Sequence, residues 1–168
     1  QSLYTMKTTI LIIIGSIFAL SNLSATVEVV FENPEAYSDI DYGDSQTKRG
    51  IKIHIPILKK HILKQAERYL EEGQSLSMII TDINLAGEYE PWRSIDFDDI
   101  RIVKSIYPPR ITFTYELKDE EGNIIKSGEE KLVDMNFDWK IRINYSDDLF
   151  YDKAMITDWF RDLKHESK

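Results

Sequence analysis

The fourteen residues from Ser75 to Glu88 (SLSMIITDINLAGE) constrain the fold more than any other stretch. They follow the helix-stopping Gly73, run through a strand-like apolar segment from Leu76 to Ile83, and end in a polar turn that bends at Ala86 and Gly87. A strand apolar on both faces belongs at the middle of a sheet, so the chain on either side of it should supply its neighbours.

Thr26 to Phe31 (TVEVVF) alternates around Val27, Val29 and Phe31, as a half-buried strand does. Asn33-Pro34 ends it, because proline lacks a ladder donor and holds the preceding residue extended. From Gly50 to Glu72 two periods compete. Ile51, Ile53, Ile55 and Ile57 alternate as in a strand, whereas Ile55, Leu58, Ile62, Ala66 and Tyr69 recur at helical spacing. Pro56 breaks a central strand and suits the first turn of a helix, so the sequence predicts a helix from about Pro56 to Glu72, with room to start a turn or more earlier. Lys59, Lys60, Lys64 and Arg68 would form its solvent face. Strand, helix, strand then implies a right-handed crossover that sets Thr26–Phe31 parallel to Leu76–Ile83.

Downstream, Gly87 to Asp99 is irregular, acidic and aromatic, and Ile100 to Lys104 reads as a short strand. Ile111, Phe113, Tyr115 and Leu117 alternate with Thr112, Thr114, Glu116 and Lys118. A hairpin turn with Gly122 at positive φ leads into a strand from Ile124 to Val133. Ser146 to Asp148 can cap a last helix, whose stripe of Tyr151 or Asp152, Met155, Ile156, Trp159, Phe160 and Leu163 should cover a sheet face. The expected class is α+β: a strand-helix-strand unit continued by an antiparallel β-meander, with the C-terminal helix packed on the sheet.

The first 25 residues stand apart. Lys7, the apolar run Ile10 to Leu20 and the small and polar residues Asn22 to Ala25 have the form of a secretory signal starting at Met6, with Gln1 to Thr5 upstream. The apolar run is shorter than the roughly 20 residues a membrane-spanning helix needs. The expectation is export to the periplasm, cleavage near Ala25 and a single domain from residue 26 to 168 without stable membrane insertion. That domain carries 20 basic against 29 acidic residues, a net charge of −9, which repels nucleic acid and anionic lipid. Cysteine is absent, which excludes disulfides and thiolate metal sites.

Residues able to carry chemistry are few. Asp82 and Asn84 project to one side of a strand end, Glu88 follows the bend, and Asp96, Asp98 and Asp99 lie in the next loop. Oxygen donors of this kind suit calcium, but no calcium-loop spacing is matched, and Asp-X-Asn at a strand end also serves ordinary turns. Tyr37, Tyr89 and Trp92 offer aromatic contacts for a peptide or a sugar. His54, His61 and His165 read as surface residues, and no third ligand joins the first two. No phosphate loop, dinucleotide fingerprint or serine-hydrolase elbow occurs, so no catalytic residue and no cofactor are assigned.

The segments VEVVFENPEAYSDI, RYLEEGQSL, TDINLAGE, YPPRITFTYEL, SGEEKLVDMNF and the terminal DWF, taken in this order, resemble the bacterial family called domain of unknown function 3016. The resemblance covers Val27 to Phe160. It implies a small exported protein of Gram-negative bacteria and brings no catalytic residues with it. The family's strand-end motif more often has Asp where this chain has Asn84, which weakens a metal site centred on Asp82 and Asn84. The reading is of a non-catalytic module that binds an envelope protein, with Tyr37, Tyr89 and Trp92 as contacts. The alternative is a calcium- or glycan-binding protein or hydrolase using Asp82, Glu88, Asp96, Asp98 and Asp99.

Overall fold

A computed structural model describes residues 25–93, 100–142, 144 and 146–166. The leader-like segment and the aspartates Asp96, Asp98 and Asp99 lie outside the described residues.

The described chain runs β1 (Thr26–Phe31), α1 (Thr47–Tyr69), β2 (Ser75–Asn84), β3 (Glu88–Tyr89), β4 (Arg101–Ile102), β5 (Arg110–Lys118), β6 (Ile124–Val133) and α2 (Phe150–Glu166). The main sheet has the order β1-β2-β5-β6, and β3 with β4 forms a small separate ladder. β1 lies parallel to β2 in the register Thr26↔Ser75 to Phe31↔Ile80. β2, β5 and β6 are antiparallel neighbours, and the tight turn between β5 and β6 holds Gly122 at φ 85. The expected α+β class and meander are therefore observed.

β2 is central because both of its edges are paired, not because both of its faces are covered. Leu76, Met78 and Ile80 are buried, whereas Ile79 and Val30 of β1 are exposed on the opposite face. A bulge between Ile80 and Asp82 changes the phase of the strand, so that Ile83 turns inward as well. An apolar run broken by a bulge imitates a strand buried on both sides. Among the described residues the sheet has one covered face, and both helices lie on it.

α1 begins at Thr47, about two and a half turns before the proline expected to open it, and ends at Tyr69. Pro56 sits in the helix interior, where it removes one i→i−4 bond. Pro56 and Lys52 are both exposed, so water can take the bond that the Lys52 carbonyl loses. The helical stripe wins over the isoleucine alternation because it starts upstream: Gly50, His54, Leu58, Ile62 and Ala66 are all buried, at four-residue steps. Among the described residues no helix is long and apolar enough to cross a membrane.

α2 completes the core as its stripe indicates. Met155, Ile156, Phe160 and Leu163 are buried with Ile111, Phe113, Tyr115 and Leu117 of β5. Trp159 stands edge-on to Phe113 at 4.9 Å and to Tyr115 at 5.2 Å between ring centroids. Such edge contacts add to a burial already worth several kcal/mol. Trp159→Ala should therefore lower the unfolding free energy by about 3–5 kcal/mol in urea denaturation. A loss below about 1 kcal/mol would show that α2 is peripheral.

Candidate functional site

The loops after β1 and β2 meet at one end of the sheet, where Arg101 of β4 joins them. Its Nη1 donates to Asp39 Oδ2 at 2.6 Å and to the Gly87 carbonyl at 3.0 Å. Its Nη2 donates to Asp39 Oδ1 at 2.9 Å and to the Asp41 carbonyl at 3.1 Å. The Tyr89 ring lies 4.5 Å from the guanidinium carbon. Burial alone disfavours the arginine charge, but the hydrogen bonds and charge of Asp39 outweigh it, and the Arg101 pKa is raised. Asp39 is held in turn by the backbone. Its N–H donates to the Ile83 carbonyl at 2.9 Å, and its carbonyl accepts from Leu85 N–H at 3.1 Å.

Two turns into α1, His54 Nδ1 lies 2.9 Å from the Ile40 carbonyl. A carbonyl can only accept, so Nδ1 carries the hydrogen and Nε2 is left as an acceptor. Burial holds the His54 pKa below its ordinary value, so the ring is neutral at pH 7. The same Ile40 carbonyl presses on the helix: a Cβ built at Gly50 would lie 1.8 Å from its oxygen. Glycine is therefore what lets the loop after β1 lie against the first turn of α1. Beside these groups is a cleft of about 260 Å³ whose polar lining includes Tyr42, His54, Tyr89, Arg101, Arg142 and Asp148. It offers hydroxyl groups, an imidazole acceptor and guanidinium groups, with no serine or cysteine among its lining. Groups of this kind can hydrogen-bond a polar ligand.

Two further carboxylates are buried. Asp152, in the first turn of α2, accepts from Ala86 N–H at 3.1 Å through Oδ1, while Oδ2 has no hydrogen-bond partner among the described residues. Burial raises its pKa to about 6. Glu90 is paired with Lys104 and accepts from the Tyr107 hydroxyl at 2.9 Å. These contacts fasten the segment 90–93 to the segment before β5.

The residues singled out from sequence fall into different places. Tyr37 is in the core, with its hydroxyl donating to the Ile80 carbonyl at 2.8 Å, and burial first, then the charge of Asp82, raises its pKa. A ring so placed offers no contact surface. Tyr89 is likewise buried, under Arg101. Trp92 is exposed. Asp82 accepts from both the N–H and the hydroxyl of Ser38, at 2.7 and 2.8 Å, so it anchors the loop after β1. Glu88 accepts from Tyr89 N–H, and burial, reinforced by Asp39, raises its pKa. Among the described residues no three metal-ligating side chains converge. Two of the three histidines are not on the surface. His54 is in the core, and His61 bridges the helices, with Nε2 at 2.9 Å from both the Lys153 carbonyl and Thr157 Oγ1.

The family model described as protein of unknown function (DUF3016) matches residues 25–162. The chain belongs to this family. No curated protein matches it. Among solved structures, a minor lipoprotein from Acinetobacter baumannii is similar at 9% identity and a TM-score of 0.27, covering 88% of this chain and 93% of that one. A likeness so slight carries no argument.

For this DUF3016 chain, sequence reasoning missed Asp39, Arg101 and Glu90. Nothing local distinguishes them from other charged residues in an acidic chain. His54 could have been found, because it shares the four-residue steps of Leu58, Ile62 and Ala66.

Two predictions follow from this geometry. Gly50→Ala should destabilise the fold by roughly 1–3 kcal/mol, read by thermal melting, because the loop carbonyl must move to admit the methyl group. Asp152 titrates near 3.8 when unfolded and near 6 when folded, so the folded chain binds the extra proton. Stability is then lost as pH rises from about 4 to 6 and levels off above that. Asp152→Asn should remove this dependence, gaining on wild type by about 2–3 kcal/mol between pH 4 and pH 8 in urea denaturation. Parallel pH profiles for the two proteins would contradict the assignment.

Proposed function

We propose that residues 26–168 act as one exported, non-catalytic module that binds another protein of the cell envelope. The leader-like stretch around Lys7 and Ile10 to Leu20 supports export. What carries the binding reading is apolar side chains left in water at the loop end of the sheet. Trp139 is 81% exposed, Ile141 84%, and Trp92 and Ile106 71% each. Their loops are tied to one another: the Ser105 hydroxyl donates to Asp138 at 2.7 Å, and Glu90 holds Lys104 and Tyr107 two residues before Trp92. Exposed indoles and isoleucines on fixed loops are the residues from which interface hot spots are made. Trp92 belongs to that surface, while Tyr37 and Tyr89 are buried and lie outside it.

A second reading is supported by the cleft beside His54, whose hydroxyl, imidazole and guanidinium groups suit the hydroxyls of a glycan. Calorimetric titration with calcium and a glycan panel separates the two. Saturable heat would favour the ligand reading, and its absence would remove it.

The direct test is crosslinking of the processed protein in its native envelope, followed by mass spectrometry. Trp139→Ala/Ile141→Ser should lose the captured partner while changing stability by no more than about 0.5 kcal/mol. Capture of the same partner by wild type and variant would refute this surface.

A further inference from the structure

β6 is an edge strand of ten residues, and among the described residues no strand pairs with its outer side. Its inward residues Lys126, Gly128, Glu130 and Leu132 stand opposite Leu117, Tyr115, Phe113 and Ile111, on the side of the sheet that the helices cover. Yet only Leu132 of these four packs against the core. α2 covers β5 and stops short of β6, leaving a trough of about 410 Å³ between strand and helix. Leu132, Met155, Trp159 and Leu163 supply its apolar part, and Glu130 and Asp162 stand at its margin. Lys140 also borders it, but is held between Asp134 and Asp158.

We propose that β6 accepts an extended peptide of the partner as a fifth strand, with alternate apolar side chains entering the trough and a lysine or arginine meeting Glu130 and Asp162. This rests on the protein-binding reading above and names the way the partner is held. An edge strand supplies backbone donors and acceptors for affinity, while the neighbouring trough reads every second side chain. Lys126 to Leu132 spans about 20 Å of strand, room for about three inward side chains. Four carboxylates against two lysines line the trough, so a basic peptide complements it. A second copy of this chain, with a net charge of −8 over its full length, would bring acid to acid. Charges at Lys126, Glu129 and Lys131 along β6 also restrain indiscriminate pairing. The trough runs on to Val133 and Asp134, next to exposed Met135 and Trp139, so a strand added here continues onto the loop surface.

The test uses a capped octapeptide, Val-Thr-Lys-Thr-Val-Thr-Val-Thr, whose valines and lysine share the face turned to the trough, titrated into the isotope-labelled protein and followed by amide shifts and hydrogen exchange. Saturable binding by about 1 mM is expected, with exchange of β6 amides slowed about tenfold or more at saturation. Alternate amides of an added strand face opposite edges. N-methylation of all four odd-numbered residues or of all four threonines should therefore abolish binding in one peptide and spare it in the other. Glu130→Lys/Asp162→Lys should weaken binding about tenfold, and the same peptide with glutamate in place of its lysine should bind at least tenfold more weakly. Shifts confined to residues 135–141, with β6 exchange unchanged, would overturn strand addition while leaving the loop surface as the binding site. Protection of β6 without peptide, rising with protein concentration, would assign the edge to a second copy and overturn the proposal. No shift at any residue would overturn it too.

Discussion

The buried ion pair between Arg101 and Asp39 is the constraint on which the loop end depends. Both side chains are close to nine-tenths buried, and the two-pronged contact leaves neither charge unmatched. Removing one member of such a pair typically costs about 3–5 kcal/mol, because the other is stranded in a poor dielectric. Three chain segments meet on this guanidinium: the loop after β1 through Asp39 and Asp41, the turn after β2 through Gly87, and β4 itself. Glu90 with Lys104 and Ser105 with Asp138 fasten the apolar loops further out, but it is this guanidinium that joins the three segments beside His54. A surface that presents tryptophan and isoleucine to water has to be held in shape before a partner arrives, since ordering it afterwards subtracts from affinity.

The main sheet makes this arrangement possible. Parallel pairing of β1 with β2 sends both of their following loops to the same end, and α1 begins there too. Crevices outside the carboxyl ends of parallel strands are where α/β proteins place ligands, and the cleft lined by Tyr42, His54 and Arg101 is in that position. The antiparallel half serves differently. β5 is shielded by α2, whereas β6 projects past the helix cover with an open edge. One end of the molecule thus offers a polar cleft and apolar loops, and one side offers backbone.

Much of the fold was legible because local pattern and tertiary burial agree in it. The alternation of β5, the glycine turn before β6 and the stripe of α2 each state one period without a rival. The start of α1 was hidden because four isoleucines in alternation imitate a strand, and because Pro56 normally opens a helix. The helix overrides both through burial of Gly50 and His54 against the loop at Ile40. The bulge in β2 was invisible for a related reason: a phase change looks the same as an apolar run on two faces. The site was less legible than the fold. Tyr37 and Tyr89 look like contact residues in a polar, irregular sequence, yet each is drawn inward by one specific partner, the Ile80 carbonyl and the Arg101 guanidinium. Partnerships between residues about 12 to 60 positions apart leave no local trace, and the acidity of the chain supplies many carboxylates that make no such contact.

The measurement that bears most directly on this account is amide hydrogen exchange of Arg101→Met beside wild type under native conditions. A loop end organised by one guanidinium should lose protection together at residues 39–42, 85–90 and 101–104, while β2, β5 and α2 keep theirs. Loss confined to β4 alone, with the loops after β1 and β2 protected as before, would contradict it.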